Sequence, residues 1–224
     1  MGGIKAMELT DYRALLINCD EVLFDRDAGI WTALQPLLES YPNTLSREQA
    51  LAEYEQVMRG LYPRFSELGF SGLLCFAHRH LAERLGLQAS WEEGMTFARS
   101  VCDWPLYEDA PGALLYLRKF YRLLIYGDRD SADREAFCER LGIPSEDFLS
   151  LASKPLEDRD WLLTNGLEPK DFLLVCGSPA DLSLAGGVCL IKRVCGGDRS
   201  AGAADFDIDS MADLVTQHQR SLRR

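Results

Sequence analysis

The chain has 224 residues, 47% of them hydrophobic and 26% charged, a balance that excludes intrinsic disorder, collagen and a simple coiled coil. That length holds one large α/β domain, or a smaller core carrying an inserted subdomain. The formal net charge is −11 and no basic arm occurs, so nucleic acid is not expected as a partner.

The first β-type run is Arg13-Ala14-Leu15-Leu16-Ile17, and it is followed by a long stretch without a convincing strand. Within that stretch apolar residues recur at helical spacing, at Leu51, Tyr54, Val57, Met58 and Leu61 and again at Leu73, Leu74, Ala77, Leu81 and Leu85. Ser46-Arg47-Glu48-Gln49 and Ser90-Trp91-Glu92-Glu93 fit the capping box, in which a hydroxyl and a carboxyl or amide satisfy free N–H groups reciprocally. An inserted helical unit is therefore expected at residues 27–100. His78 and His80 stand two apart on one of its helices and do not face a common metal, and Trp31, Tyr41, Tyr62, Phe65 and Phe70 read as core aromatics.

Beyond the insert, apolar runs return at 121–126, 148–151, 172–175 and 188–191, separated by helical patterns at 109–119, 131–141, 157–164 and 179–185 and closed by one at 210–215. These runs are continuous rather than alternating, as for strands covered on both faces of a parallel sheet. Strand and helix in alternation predict a doubly wound α/β layer, residues 1–26 and 101–224, with the helical insert between its first two strands. No apolar run reaches the roughly 18 residues that cross a bilayer, and the N-terminus lacks a signal-like stretch. The expected location is cytoplasmic, with no membrane partner. Seven cysteines without a CxxC pair read as reduced, mostly buried thiols rather than a zinc site. No GxGxxG or P-loop pattern is present, against dinucleotide or nucleoside triphosphate binding.

In open parallel sheets ligands bind beyond the carboxyl ends of the strands. The residues there are Asn18-Cys19-Asp20, Tyr126-Gly127-Asp128, Ser153-Lys154-Pro155 and Cys176-Gly177-Ser178-Pro179-Ala180-Asp181. Their order resembles the four signature segments of the haloacid dehalogenase (HAD) superfamily, and the insert resembles that family's helical cap. Leu61-Tyr62-Pro63-Arg64-Phe65 and Leu81-Ala82-Glu83-Arg84-Leu85-Gly86-Leu87 look most like the 2-haloacid dehalogenase and phosphoglycolate phosphatase branch. The resemblance implies a Rossmann-like, HAD-like core with an α-helical cap, and hydrolase chemistry on an Asp nucleophile.

Laid over Ile17 to Asp25, with the Leu23-Phe24-Asp25 tail fixing the register, the nucleophile position is Asn18 and the acid/base position is Asp20. The usual Gly-Thr pair is Glu21-Val22, and the Ser/Thr position of the second motif is Tyr126. A neutral amide is a poor nucleophile. Lys154 keeps the third motif, where an ammonium can neutralise an oxyanion. In the fourth motif Gly-Asp is replaced by Cys176-Gly177, while Asp181 keeps the second acid. Magnesium, as the resemblance implies it, would rest on Asn18, the Asp20 backbone carbonyl and mainly Asp181, and would bind weakly.

Each of these residues also has a structural reading. Ser178-Pro179-Ala180-Asp181 is a good helix start, Asp20 is suited to closing a turn, and Lys154 to a solvated loop. Three functions follow. The first is a HAD-like protein without nucleophilic catalysis, acting as a binding or regulatory module for a small anionic molecule. The second is a hydrolase of small phosphate esters, or less so of 2-haloacids, with a rearranged site built on Asp20, Lys154 and Asp181. The third is an interaction protein with a vestigial cleft. The oligomeric state is open.

Overall fold

The computed structural model describes residues 7–150, 156–178, 185–193 and 204–223. The chain divides into two compact units, one of residues 1–24, 106–127 and 138–224, the other of 25–105 and 128–137.

The first unit holds six strands, β1 (Ala14–Asn18), β2 (Arg122–Gly127), β3 (Phe148–Ser150), β4 (Phe172–Cys176), β5 (Gly187–Ile191) and β6 (Phe206–Ile208). They form one sheet in the order β3-β2-β1-β4-β5-β6, with every pairing parallel. Helices cover both faces, which is why β1 and β4 are apolar without alternation: Ala14 to Ile17 and Phe172 to Cys176 are all buried. Leu16, Leu124, Tyr126, Leu149, Leu174 and Cys176 are members of one apolar cluster on this sheet. β6 was not predicted from the sequence. It is a three-residue edge strand with an exposed centre at Asp207, and so lacks the continuous apolar run that marks the others. The expected helix at 179–185 lies outside the described residues save its last position, Ala185.

The second unit is built from α1 (Arg26–Glu39), α2 (Arg47–Leu61), α3 (Phe65–Arg84) and α4 (Trp91–Arg99). Both predicted capping boxes are formed. Ser46 Oγ accepts from the Gln49 N–H at 3.2 Å and Gln49 Oε1 from the Ser46 N–H at 2.9 Å; the Ser90–Glu93 pair does the same at 3.2 and 2.6 Å. Tyr54, Val57, Met58, Leu61, Leu73, Leu74, Ala77 and Leu81 are buried as their spacing requires. Of the expected core aromatics, Phe70 is buried, Trp31 and Tyr41 are half-buried, and Tyr62 is exposed, its hydroxyl donating to Asp128 Oδ2 at 3.0 Å. His78 is buried while His80 is exposed beside Glu83.

The helical unit is wider than the 27–100 expected and recruits residues 128–137, which the sequence reading had placed in the α/β layer. The cause is a kink. Gly69 has φ 67° and ψ 175°, a conformation that L side chains resist, and the helix restarts at Phe70 with free N–H groups. Asp130 satisfies them, Oδ1 accepting from the Phe70 N–H at 3.1 Å and Oδ2 from the Ser71 N–H at 2.8 Å. Burial works against this carboxylate's charge, but hydrogen bonding from Ser71 and the Phe70 N–H outweighs it and lowers the pKa. Ser71 Oγ also donates to Asp133 Oδ2, and Cys102 Sγ to Asp133 Oδ1. The start of the helix Ser131–Leu141 is thereby tied to the helical unit.

Candidate functional site

In the observed strand order, strands are added on one side of β1 through β3 and on the other from β4 onward. The switch point falls between the carboxyl ends of β1 and β4, where crevices form in such sheets. Asn18 ends β1 and Cys176 ends β4, and Asn18 is in register with Tyr126 on β2. Because side chains alternate, Asn18 and Tyr126 point to the same face.

Beyond Asn18 the chain makes a single wide turn over Cys19–Leu23, closed by the Phe24 N–H donating to the Cys19 carbonyl at 3.0 Å. Asn18 caps it. Its Oδ1 accepts from the N–H groups of Asp20 at 3.1 Å and Glu21 at 3.4 Å, so the turn closure that Asp20 was suited to is made by Asn18. Asp25 ends the segment as N-cap of α1, accepting from the Ala28 N–H at 2.9 Å.

Tyr126 is 4% exposed and its hydroxyl oxygen is buried without a hydrogen bond among the described residues. Burial raises its pKa well above the ordinary phenol value, Cys176 and Glu21 add to the rise, and the Asn18 side chain opposes it. The phenol is thus a neutral core group. Next to it a side chain at Gly127 would overlap the Cys19 Sγ and approach Asp20 Oδ2 at 3.6 Å. The Asp20 carboxylate therefore lies beside the end of β2.

Glu21 makes the contact that sequence reasoning missed. Its Oε2 accepts from the N–H groups of Gly177 at 2.9 Å and Ser178 at 3.1 Å, and its Oε1 from the Ser178 hydroxyl at 2.7 Å. A Cβ at residue 177 would stand 2.8 Å from the Glu21 Cβ, so glycine there admits the close approach. The turn after β4 thus presents two backbone donors and a hydroxyl, a set suited to an anion, and the chain's own carboxylate holds all three. Arg193 was missed as well. Its Nε and Nη2 donate to the Val22 carbonyl at 3.1 and 2.6 Å, its Nη1 to Asp109 Oδ1 at 2.8 Å, and it stacks over Tyr107. This pins the β1 turn from behind. Neither residue has a sequence signal, since their partners lie 84 to 171 positions away.

The structure thus brings Asn18, Asp20 and Tyr126 together at the ends of β1 and β2. Lys154 and Asp181 lie outside the described residues.

No family model and no curated protein matches the sequence. Solved structures do resemble it. The L-2-haloacid dehalogenase PA0810 is 15% identical with a TM-score of 0.73, covering 94% of this chain and 99% of its own. The L-2-haloacid dehalogenase from Xanthobacter autotrophicus with chloropropionic acid covalently bound is 17% identical with a TM-score of 0.70, covering 93% and 98%. This chain has the haloacid dehalogenase-like fold. The HAD-hydrolase YfnB from Bacillus subtilis, bound to magnesium, shares it at 17% identity and a TM-score of 0.66, covering 92% of this chain and 97% of its own. At these identities the likeness establishes the HAD-like fold and not an activity.

Magnesium needs several hard anionic oxygens in octahedral array. Among the described residues no group of three His, Cys, Asp or Glu side chains could hold a metal ion. Asn18 Oδ1 is neutral and faces two N–H donors, while the Glu21 carboxylate is committed to the turn after β4. The described donors do not fit the ion. No helix among the described residues is long and apolar enough to cross a membrane.

Proposed function

We propose that this chain uses the HAD-like fold for binding and has given up covalent catalysis at the end of β1. The observation that carries this reading is the Asn18 side chain, a neutral amide whose oxygen is turned onto the Asp20 and Glu21 N–H groups as a structural cap. An amide holds no anionic lone pair for in-line attack, and forming an ester intermediate on it would generate a charged imidate. Glu21 supports the same conclusion, because it fills with the chain's own carboxylate the donors that could have met an incoming anion after β4. The ligand class to test first is a small anion, on the strength of Lys154 in the third motif.

A rearranged hydrolase is the second reading, favoured by the placement of Asp20 Oδ2 beside Gly127. The experiment is hydrolysis of a panel of small phosphate esters with Mg²⁺, and chloride release from 2-chloropropanoate, by this protein and its Asp20→Ala variant. The expected result is no turnover above background in either. Turnover lost in Asp20→Ala would overturn the binding reading and establish the rearranged site.

A further inference from the structure

Two helices of the α/β unit pack side by side, Ala110–Leu117 and the closing helix Met211–Ser221. They run in the same direction, since the Ala212 N–H at one start donates to Asp109 Oδ2 at the other at 3.1 Å, and the Tyr116 hydroxyl lies 3.1 Å from His218 Nδ1 near both ends. Their C-terminal ends therefore share one patch of surface. Of the seven large apolar side chains exposed among the described residues, three stand on these ends, Leu115, Phe120 and Leu222 at 59, 46 and 51%. Phe120 and Leu222 flank the same residue, the Phe120 ring centroid lying 4.6 Å from that of His218 and the Leu222 N–H donating to the His218 carbonyl at 3.0 Å. Lys119, Arg220 and Arg223 are exposed beside them and make no ion pair among the described residues. The surplus of acid that gives the chain its charge of −11 is missing from both segments, for no Asp or Glu occurs between Asp109 and Asp128 or after Asp213. In the turn packed against the closing helix, Glu8 is half-buried and Asp11 holds the Glu8 N–H at 2.8 Å.

We propose that this end of the molecule docks peripherally on an anionic lipid surface, with Lys119, Arg220 and Arg223 meeting the headgroups and Phe120 and Leu222 entering between them. Basic residues at a helix C-terminus complement the macrodipole, which accounts for the cations but gives no reason for bulky apolar groups exposed among them. Cations and apolar side chains together are the two signals that peripheral attachment requires. The patch is also blunt. His218 is 2% exposed and its ring fills the seam between the helices against Tyr116, Phe120 and Tyr121, so the seam offers no groove for an acidic peptide. A second copy set patch to patch would bring like charges together. The expectation of no membrane partner rested on the absence of a spanning run, which a peripheral contact does not need. Ala110–Leu117 leads into the start of β2, so the patch lies at the opposite end of the strands from Asn18 and the inference is independent of the reading of that residue.

The test is co-sedimentation of the full chain, at low ionic strength, with vesicles of phosphatidylcholine alone or with about one third phosphatidylserine. Each cation near such a surface strengthens attachment about fivefold, and the acids elsewhere on the chain oppose this, so the phosphatidylserine vesicles are expected to hold the protein at least roughly tenfold more tightly. The preference should vanish at high salt. Lys119→Glu, Arg220→Glu and Arg223→Glu combined are expected to abolish it. Arg47→Glu, Arg59→Glu and Arg99→Glu combined change the net charge equally at exposed positions of the helical unit and are expected to retain it. Leu222→Ser keeps every charge and should weaken attachment roughly fivefold. Absence of a preference for phosphatidylserine, equal loss in the two charge-reversed triple variants, or undiminished attachment of Leu222→Ser would each overturn the proposal. Binding to soluble polyglutamate as tight as to the vesicles would overturn it in favour of an acidic protein partner. Should the first triple variant fail to fold, the Leu222→Ser result decides alone.

Discussion

Removing the Glu21 carboxylate is the most direct probe of the turn after β4. In Glu21→Ala the N–H groups of Gly177 and Ser178 and the Ser178 hydroxyl lose an acceptor they now hold at 2.7 to 3.1 Å. A hydrogen bond to a charged group contributes about 1.5–3 kcal/mol when desolvated. Here Glu21 and Gly177 are half-buried and Ser178 is exposed, so water replaces much of what is lost and the three bonds together are worth about 1–2 kcal/mol. The loss is local, and amide hydrogen exchange reads it where it occurs. Exchange at Gly177 and Ser178 should quicken by roughly 5- to 30-fold, at about 1.4 kcal/mol per factor of ten, while β1 and β4 amides keep their protection. Glu21→Gln retains one carbonyl acceptor and should fall between. Unchanged exchange at 177 and 178 in Glu21→Ala would refute the view that this carboxylate closes the turn.

Other outcomes follow from the packing and the titrating groups. Gly127→Ala forces a methyl group into the Cys19 Sγ and should cost about 1–3 kcal/mol by overpacking. Adding Cys19→Ala should recover part of that in urea unfolding, and additive single-site costs would count against the contact. Asp130→Ala leaves the Phe70 and Ser71 N–H groups without their cap, with an expected cost of about 1–3 kcal/mol and faster exchange at those two amides. Because the Asp130 pKa is lowered on folding, its contribution is full above the unfolded value of about 3.8 and is lost as pH falls through the folded value. His78 and His218 are buried and their pKa values are lowered by desolvation. The unfolded chain then binds more protons, so thermal stability should decline as pH falls below about 6.5. A Tm flat from pH 8 to pH 5.5 would contradict their burial, and His218→Phe should shrink the decline.

The strands that were legible in the sequence are those covered on both faces, since Leu15 to Ile17 and Leu173 to Val175 can be apolar at every position only there. Phe206-Asp207-Ile208 was not legible because an edge strand alternates and tolerates a carboxylate, here paired with Lys192. The helical insert announced itself through periodicity and two capping boxes, which are local devices. Its recruitment of residues 128–137 did not, because Asp130 caps a helix restart 60 positions away. The same distinction divides the site. Asn18 could be placed from a contiguous register ending in Asp25, whereas the functions of Glu21 and Arg193 exist only once β1, β4 and β5 are side by side.

The Asp130 cap has a consequence for anyone wishing to cut the molecule. The chain passes between its two units at 24/25, 105/106, 127/128 and 137/138, so neither unit is a single stretch of sequence. A fragment spanning 25–105 would carry all four helices α1 to α4 yet leave the restart at Phe70 uncapped and Cys102 and Ser71 without Asp133. The helical unit is complete only when the ten residues 128–137 are grafted back onto it, and any exchange of this unit between scaffolds has to carry that second piece along.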